Sequence, residues 1–165
     1  MIRPFLPWPD KRLRTPAAPV EAVTDTILAL WDDMVETMEA MPGYGLGGPQ
    51  VGIMLRLAVV DASTERGQAV RMANPEILHS SVKLRDHEEG SPNLPGVWAR
   101  LSRPRAVTVR FLNERGEMEE RDFVNLWATS VQHQIDHLNG KMYFDHLTPL
   151  KRQMLIKRSQ KLARG

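Results

Sequence analysis

The sequence predicts an α+β fold in which mostly antiparallel strands surround a buried helix, with a further helix at the C-terminal end. Three observations support this: an amphipathic helical pattern comes early, several short strand patterns occupy the middle, and a helix with two histidines four residues apart follows them. We expect the 165 residues to form a single domain, 1–165, large enough to bury a hydrophobic core.

The first helix is predicted to run from an N-cap at Thr24 to about Ala40. Its apolar residues recur at helical spacing and are Ile27, Leu28, Trp31, Met34, Val35 and Met38. Pro42 and Gly43 end this helix. The preceding residues 1–23 contain five prolines and are predicted to form an extended arm.

The middle of the chain has the alternation and turn residues of β-strands. Strands are predicted at 56–61, 68–73, 76–85, 105–112 and 117–123. Asn113–Gly116 is a good hairpin turn between the last two strands. Gly43–Gly52 is too rich in glycine for a regular element, and we expect Glu88–Val97 to be a second irregular loop.

Two more helices are predicted after the strands. Asn125 can cap a helix from Leu126 to about Leu138, with Gly140 just beyond its end. Thr148 and Pro149 then open a terminal helix, because proline is favoured at the first helical position.

The composition is that of an ordinary globular protein, with 42% hydrophobic and 25% charged residues. The absence of cysteine excludes disulfides and any thiolate ligand or nucleophile. No apolar run reaches the length of a membrane span, and the first 15 residues do not have the pattern of a secretory signal. We therefore expect a cytoplasmic protein without a membrane or DNA partner.

The C-terminal segment 148–165 is basic and contains no acidic residue. Its cations are Lys151, Arg152, Lys157, Arg158, Lys161 and Arg164. Such a segment can contact RNA or another anionic surface. The alternative is a solvated helix face whose cations suit the negative end of the helix dipole.

His133 and His137 lie four residues apart, so a helix presents both imidazoles on one face, where they can bind a metal ion. Many such pairs are no more than a helix surface. In metallohydrolases the residue after the first histidine is a glutamate that removes a proton from water. Here it is Gln134, whose amide cannot accept that proton at neutral pH. Asp136 can orient a neighbouring group through a hydrogen bond.

Three segments together resemble the peptide deformylase family. GYGLGGPQ at 43–50 is similar to the family motif GxGLAAxQ, EGSPN at 89–93 to EGCLS, and QHQIDHL at 132–138 to QHExDHL. Their order and spacing agree with the family, and flanking segments extend the resemblance over nearly the whole chain. The resemblance implies a peptide deformylase-like fold.

Members of this family remove the formyl group from the N-terminal methionine of nascent chains. The resemblance implies a divalent metal, commonly iron, held by the cysteine of the second motif and by both histidines of the third. It also implies a glutamate base in the third motif. A glutamine of the first motif and the backbone N–H after the cysteine would stabilise the oxyanion.

Several residues match these roles. His133 and His137 match the metal ligands, Gln50 matches the oxyanion donor, and Gly45 can offer its backbone to substrate. Asp136 and Glu89 match the positions that support the ligands. An ion pair between Glu89 and Arg103 is expected to stabilise the second motif.

Three residues depart from the family at the site of chemistry. Ser91 stands where the cysteine ligand is expected, and a neutral hydroxyl is a poor ligand. Pro92 follows it and has no N–H to offer the oxyanion. Gln134 replaces the glutamate base. Any divalent metal, iron or zinc, is therefore expected to bind weakly or not at all.

Smaller departures affect the borders of the site. Gly47 and Gly48 replace two alanines of the first motif. Thr129 and Ser130 are polar where the family's methionine pocket begins. Trp98 follows the second motif, where it can cover the cleft or pack inside the protein.

Two hypotheses follow. In the first, the deformylase-like fold persists without effective hydrolysis and binds nascent N-termini or the ribosome, as a pseudoenzyme. In the second, the protein is an active hydrolase for formyl-Met peptides with altered metal ligation. Ser91, a further water or His87 would then complete the set begun by the two histidines, although a histidine at position 87 is more often a surface residue.

Overall fold

The computed structural model describes residues 1–165. The helices are α1 (Asp25–Ala40), α2 (Asn125–Leu138) and α3 (Pro149–Arg164). The strands are β1 (Gly45–Gly47), β2 (Leu57–Val60), β3 (Val70–Ser80), β4 (Leu84–Ser91), β5 (Leu94–Pro104), β6 (Ala106–Leu112) and β7 (Met118–Val124). Short 3-10 helices span Lys11–Arg14, Gly48–Val51 and Tyr143–His146.

The strands form two antiparallel sheets with α2 between them. One sheet has the order β1-β2-β3-β6-β7, and the other is the β4–β5 hairpin. α2 contacts strands of both sheets. Its apolar face, with Val131 and Ile135, packs in one core cluster with residues of β2, β3, β6 and β7. The α+β class with a buried histidine-bearing helix and a C-terminal helix is thus confirmed.

α1 forms as the sequence predicts. The Thr24 hydroxyl accepts a hydrogen bond from the Ile27 N–H at 3.4 Å, and the apolar stripe includes the buried residues Trp31, Met34 and Met38. The indole of Trp31 also donates to the carbonyl of Met72. Hydrophobic burial of this stripe fixes α1 against β1 and β2.

The N-terminal arm connects the glycine-rich segment to the tip of the β4–β5 hairpin. The Leu6 N–H donates to the Gln50 carbonyl, and the Trp8 N–H donates to the Asn93 carbonyl, both at 2.9 Å. The side-chain amide of Asn93 returns a hydrogen bond to the Leu6 carbonyl at 2.7 Å. The arm therefore holds the glycine-rich segment beside the tip of the β4–β5 hairpin.

The glycine-rich segment contains β1 and a 3-10 turn, so the prediction that it is irregular throughout was wrong. β1 is the edge strand of the large sheet and pairs only with β2. Gly45 is required by close packing, because a Cβ there would lie 2.6 Å from both Ser130 Oγ and Gln134 Nε2. A side chain at this position would force the side chains of Ser130 and Gln134 to move.

The strand predictions near the second motif also need correction. Glu88–Val97 is not an irregular loop, because it belongs to the β4–β5 hairpin and Pro92 and Asn93 form its tip. The predicted strand 76–85 joins the end of β3 to the start of β4, and the chain turns between them. Tertiary pairing decided both cases, since β4 and β5 pair along their whole length.

The Asn113–Gly116 turn is confirmed. It joins β6 to β7, with Gly116 at a φ of 75°. The Asn125 cap is wrong: Asn125 is the first residue of α2, and its side-chain oxygen accepts from Arg105 Nε at 3.1 Å instead.

α3 begins as predicted, with Thr148 accepting from the Lys151 N–H and Pro149 at the first position. No helix in the protein combines the length and the apolar character that a membrane crossing requires.

Candidate active site

α2 brings His133 and His137 together in the interior. Their Nε2 atoms lie 3.1 Å apart, and the two side chains are almost fully buried. This separation follows from the i, i+4 spacing on a helix that is enclosed by two sheets. At this distance one ring donates its Nε2 proton to the Nε2 atom of the other, and an ion bound by both histidines would take the place of that proton.

Glu89 on β4 fixes the orientation of His133. A Glu89 carboxylate oxygen lies 2.8 Å from His133 Nδ1. Burial alone would raise the pKa of Glu89, but hydrogen bonds from His133 and Arg103 lower that pKa to about 2. Because the carboxylate is ionised, it accepts a hydrogen bond from the Nδ1–H of His133, and the Nε2 atom of the same ring then faces His137.

Arg103 on β5 holds two buried carboxylates at once. Its Nε and Nη2 bind Glu89 at 2.6 and 2.9 Å, so the expected ion pair is present with bidentate geometry. Its Nη1 donates to Asp136 at 2.9 Å. The second carboxylate also contacts His146 Nε2 at 2.7 Å. Burial would raise the pKa of Asp136, and the contacts with His146 and Arg103 lower it instead.

His137 is neutral at physiological pH. Complete burial lowers its pKa well below the ordinary value, and the proximity of His133 lowers it further. Its Nδ1 has no hydrogen-bond partner in the protein. A neutral imidazole is the form that binds metal ions.

The Ser91 hydroxyl belongs to a hydrogen-bonded cluster with Gln50 and Asn93. Ser91 Oγ donates to Asn93 Oδ1 at 2.9 Å, and Gln50 Nε2 donates to the same oxygen at 2.9 Å. A longer contact of 3.4 Å joins Gln50 Nε2 to Ser91 Oγ. The Gln50 side-chain oxygen accepts from the Gly47 N–H. One N–H of Gln50 is thus only loosely engaged and can turn to a ligand.

Pro92 occupies the first position of the hairpin tip, where its fixed φ suits a tight turn. The Asn93 N–H points back to Ser91 Oγ at 3.3 Å. Because proline has no N–H, the backbone immediately after Ser91 provides no donor to the cleft.

Gln134 lies beside the histidine pair and is only 5% exposed. Its Oε1 is buried and has no partner in the protein. The amide packs against Gly45, which leaves an unused acceptor next to the cleft. This oxygen is shielded from solvent in this conformation, so the amide must turn towards the cleft before it accepts a hydrogen bond there, and an amide cannot remove a proton.

A cleft of about 450 Å³ opens onto these residues. Its walls come from the β1 edge, the β4–β5 hairpin and α2. Trp98 does not pack inside: it is 61% exposed, and its indole covers Gly90, where a Cβ would lie 2.6 Å from the ring. His87 lies on β4 and lines the cleft, not in a surface loop.

The side chains suit a divalent ion only in part. Two imidazoles whose Nε2 atoms lie 3.1 Å apart fit zinc or iron as two ligands once the proton between them is released. No cluster of three or more His, Cys, Asp or Glu side chains is placed to hold a metal, so His87 does not complete the set in this conformation. The hydrogen bonds of Ser91 go to Gln50 and Asn93. The remaining ligand positions would therefore fall to solvent, to substrate, or to a reoriented Ser91.

Comparison with known proteins identifies the class that this fold and site define. The family model for polypeptide deformylase matches residues 2–153. The peptide deformylase of Afipia carboxidovorans is 42% identical over 165 residues, which cover 99% of this chain and 96% of that protein. The chain belongs to the peptide deformylase family.

Solved structures agree with this assignment. A peptide deformylase from Legionella pneumophila superimposes with a TM-score of 0.93 at 39% identity, covering 99% of this chain and 96% of the other. A class I type b peptide deformylase from Acinetobacter baumannii, crystallised with Met-Ala-Ser bound, matches with a TM-score of 0.83 at 32% identity, covering 89% and 99%.

The fold brings together all the site residues that the sequence singles out. The cleft is lined by Gly45, Gln50, Glu89, Ser91, Pro92, His133 and Gln134, while Arg103, Asp136 and His137 adjoin it from behind. Sequence reasoning missed two members. Asn93 connects Gln50, Ser91 and the N-terminal arm, and His146 completes the partners of Asp136. Asn93 lies inside the second motif, so the sequence contained an indication that it belongs to the site. No motif contains His146.

Proposed function

We propose that this protein hydrolyses the N-formyl group of formyl-methionyl peptides, slowly, at a divalent metal site with altered ligation. The observation that carries the proposal is the buried histidine pair, oriented by Glu89 and open to a cleft of peptide size. The names of relatives that cover nearly the whole chain support the same activity. We also propose that the substrates are nascent polypeptides and that the protein acts in the cytoplasm.

The cleft can hold an extended peptide along the β1 edge. One side of β1 pairs with β2, and the other side borders the cleft at Gly45. Because this edge of β1 has no strand partner, a peptide can add to it through main-chain hydrogen bonds. The Met-Ala-Ser bound to the Acinetobacter relative supports a tripeptide-sized ligand.

The reaction splits the amide bond between the formyl carbon and the methionine nitrogen, and water supplies the oxygen of the released formate. A divalent ion at such a site supplies Lewis-acid polarisation of a carbonyl and lowers the pKa of water. His133 and His137 would hold the ion, with Ser91 or solvent beside them. Gln50 donates its loosely engaged N–H to the formyl oxygen as negative charge develops there.

Gln134 lines the cleft and would position the attacking water once its amide turns the shielded oxygen outward, but it leaves the proton with solvent or the departing amine. Loss of a general base typically lowers a rate by about 10²–10⁴-fold. Loss of one oxyanion donor, here at Pro92, costs about 10²–10³-fold. The two losses are not simply multiplied, because groups of one site act together.

Formate release tests the proposal. The full-length protein is loaded with iron under anaerobic conditions, or with nickel or zinc, and incubated with formyl-Met-Ala-Ser. We expect slow release of formate that depends on added metal and is abolished by the double substitution His133→Ala and His137→Ala. If no metal gives turnover above the double variant, hydrolysis is excluded.

Binding without turnover is the second candidate function. The observation that favours it is the tie between Ser91 and Asn93, which leaves two protein ligands directed at the metal position. Under this candidate the protein retains formylated N-termini as a pseudoenzyme. Calorimetric binding of formyl-Met-Ala-Ser with no formate release would support it over the hydrolase.

Association with the ribosome is a further proposal for α3. Lys151, Lys157, Arg158, Lys161 and Arg164 are exposed, whereas Arg152 pairs with Asp145 at 3.0 Å and covers the Phe144 ring. Replacing Lys151, Lys157, Arg158 and Lys161 with Ala should weaken co-sedimentation with ribosomes at low salt. The single change Arg152→Ala is the control for structural damage, and unchanged binding of the quadruple variant would refute the proposal.

A further inference from the structure

One turn of α2 before His133, the cleft has polar side chains on both walls. On β4, Arg85, His87 and Glu89 are partly or fully buried and alternate with exposed neighbours, so all three face inward. Arg85 reaches Thr129, and Glu89 reaches His133. His87 lies between them on the strand and lines the cleft.

On the α2 side, the cleft is lined by Leu126, Thr129, Ser130 and His133, which share one helical face. Thr129 is 96% buried, because its exposed fraction is 4%. Its oxygen accepts from Arg85 Nη1 at 3.2 Å, while its own O–H donates to no protein group. Ser130 differs, because its hydroxyl already donates to the Tyr44 carbonyl.

The proposed function, on which this inference rests, places the first side chain of a peptide in this region. With the formyl group at the histidine pair, the adjacent side chain can reach one helical turn along α2, roughly 5.4 Å, to Thr129. A hydrocarbon or thioether end would displace water from the free Thr129 hydroxyl without giving it a partner, which costs free energy. A carboxylate would meet the buried carboxylate of Glu89, which faces inward and lines the cleft.

We propose that this pocket selects an uncharged first side chain of about methionine length that ends in a hydrogen-bond-accepting oxygen. Two side chains have that chemistry: the sulfoxide of oxidised methionine and the amide of glutamine. Thr129 donates its hydroxyl to the oxygen, and His87, which lines the same cleft and has no hydrogen-bond partner in the protein, contributes a second donor. The sulfoxide is the form that an N-terminal methionine reaches by oxidation.

Calorimetric titration of the full-length zinc-treated protein tests this preference without requiring turnover. The ligands are four peptides that differ only in the first residue: formyl-methionine sulfoxide, formyl-glutamine, formyl-methionine or formyl-norleucine, each followed by Ala-Ser. We expect the two oxygen-bearing peptides to bind about tenfold more tightly than the norleucine peptide, as one net hydrogen bond allows. A difference in affinity between the sulfoxide peptide and the glutamine peptide shows which of the two side chains fits the pocket better.

Thr129→Val removes the hydroxyl at nearly constant volume and should abolish the preference. Thr108→Val is the matched control, because the Thr108 hydroxyl binds Asp122 on the exposed side of the large sheet. If Thr129→Val does not fold, His87→Leu on the partly exposed strand should reduce the same preference.

Equal or tighter binding of the norleucine and methionine peptides would overturn the inference while leaving the proposed function intact. Failure of all four peptides to bind would overturn both. Preference retained in Thr129→Val and His87→Leu would also overturn it, because the oxygen would then be recognised elsewhere.

Discussion

Behind the histidine pair lies a set of buried charges, and in front of it lies a row of neutral groups. Glu89, Arg103 and Asp136 are joined by short hydrogen bonds and leave no charge without a partner. On the cleft side, Ser91, Pro92 and Gln134 stand where the family resemblance leads us to expect an anionic ligand, a backbone donor and a base.

The difference shows that support and chemistry obey separate physical constraints. Removing one partner from a buried ion pair leaves an uncompensated charge and costs about 3–5 kcal/mol. Exchanging a cysteine for serine or a glutamate for glutamine keeps the volume and leaves no buried charge. The charged support therefore contributes to folding, whereas neutral replacements in the cleft do not require loss of the fold.

The largest expected effect comes from restoring the cleft side. The triple variant Ser91→Cys, Pro92→Leu and Gln134→Glu should raise metal-dependent formate release from formyl-Met-Ala-Ser by on the order of 10³-fold or more. The rate is measured with iron under anaerobic conditions. Pro92→Leu with Gln134→Glu, without the cysteine, is the control and should gain far less. A wild-type rate equal to that of the triple variant would show that these three residues do not limit hydrolysis.

Breaking the charged support should destabilise the fold itself. Arg103→Met leaves Glu89 and Asp136 without their shared cation and should lower the free energy of unfolding by about 3–5 kcal/mol. Chemical denaturation measures this. Arg100→Met on the same strand is the matched control: Arg100 is exposed, its contact with Asp86 is long, and stability should hardly change. Equal effects of the two variants would show that the buried pairs do not stabilise the fold.

The Glu89 carboxylate should make stability depend on pH in the acid range. Its pKa falls from 4.5 to about 2 on folding, so its stabilisation is complete above pH 4.5 and is lost as pH falls towards 2. This corresponds to about 3 kcal/mol. Glu89→Gln should therefore be less stable at pH 7, and its deficit should shrink below pH 4.5. The exposed Glu88→Gln should follow the wild type, and a constant deficit for Glu89→Gln would contradict the pKa shift.

The smallest expected change in stability is that of Ser91→Cys alone. The substitution disturbs one hydrogen bond to Asn93 and should alter the free energy of unfolding by about 1 kcal/mol or less. It should nevertheless increase zinc retention after dialysis, because a thiolate binds zinc far better than a hydroxyl does. Formate release should rise little without the base. Unchanged zinc retention would show that position 91 does not face the ion.

Local sequence patterns determined much of the fold. Several features depend only on neighbours within a few residues: the Thr24 and Thr148 caps, the apolar stripe of α1 and the hairpin turn Asn113–Gly116. The motifs at 43–50, 89–93 and 132–138 likewise named most of the residues around the cleft, and the i, i+4 spacing already brought the two imidazoles together. A single domain spanning 1–165 stays a prediction.

Only the tertiary structure decided the features that join distant segments. The segment Glu88–Val97, which was expected to be a loop, is a hairpin because β4 pairs with β5. The Asn125 side chain does not cap α2, because its oxygen accepts a hydrogen bond from Arg105. The structure also showed that Asn93 ties Ser91 to Gln50, that His146 reaches Asp136, and that the Thr129 hydroxyl lacks an acceptor. These contacts cross many residues of sequence. They form only when packing brings the segments together, so no local pattern could specify them.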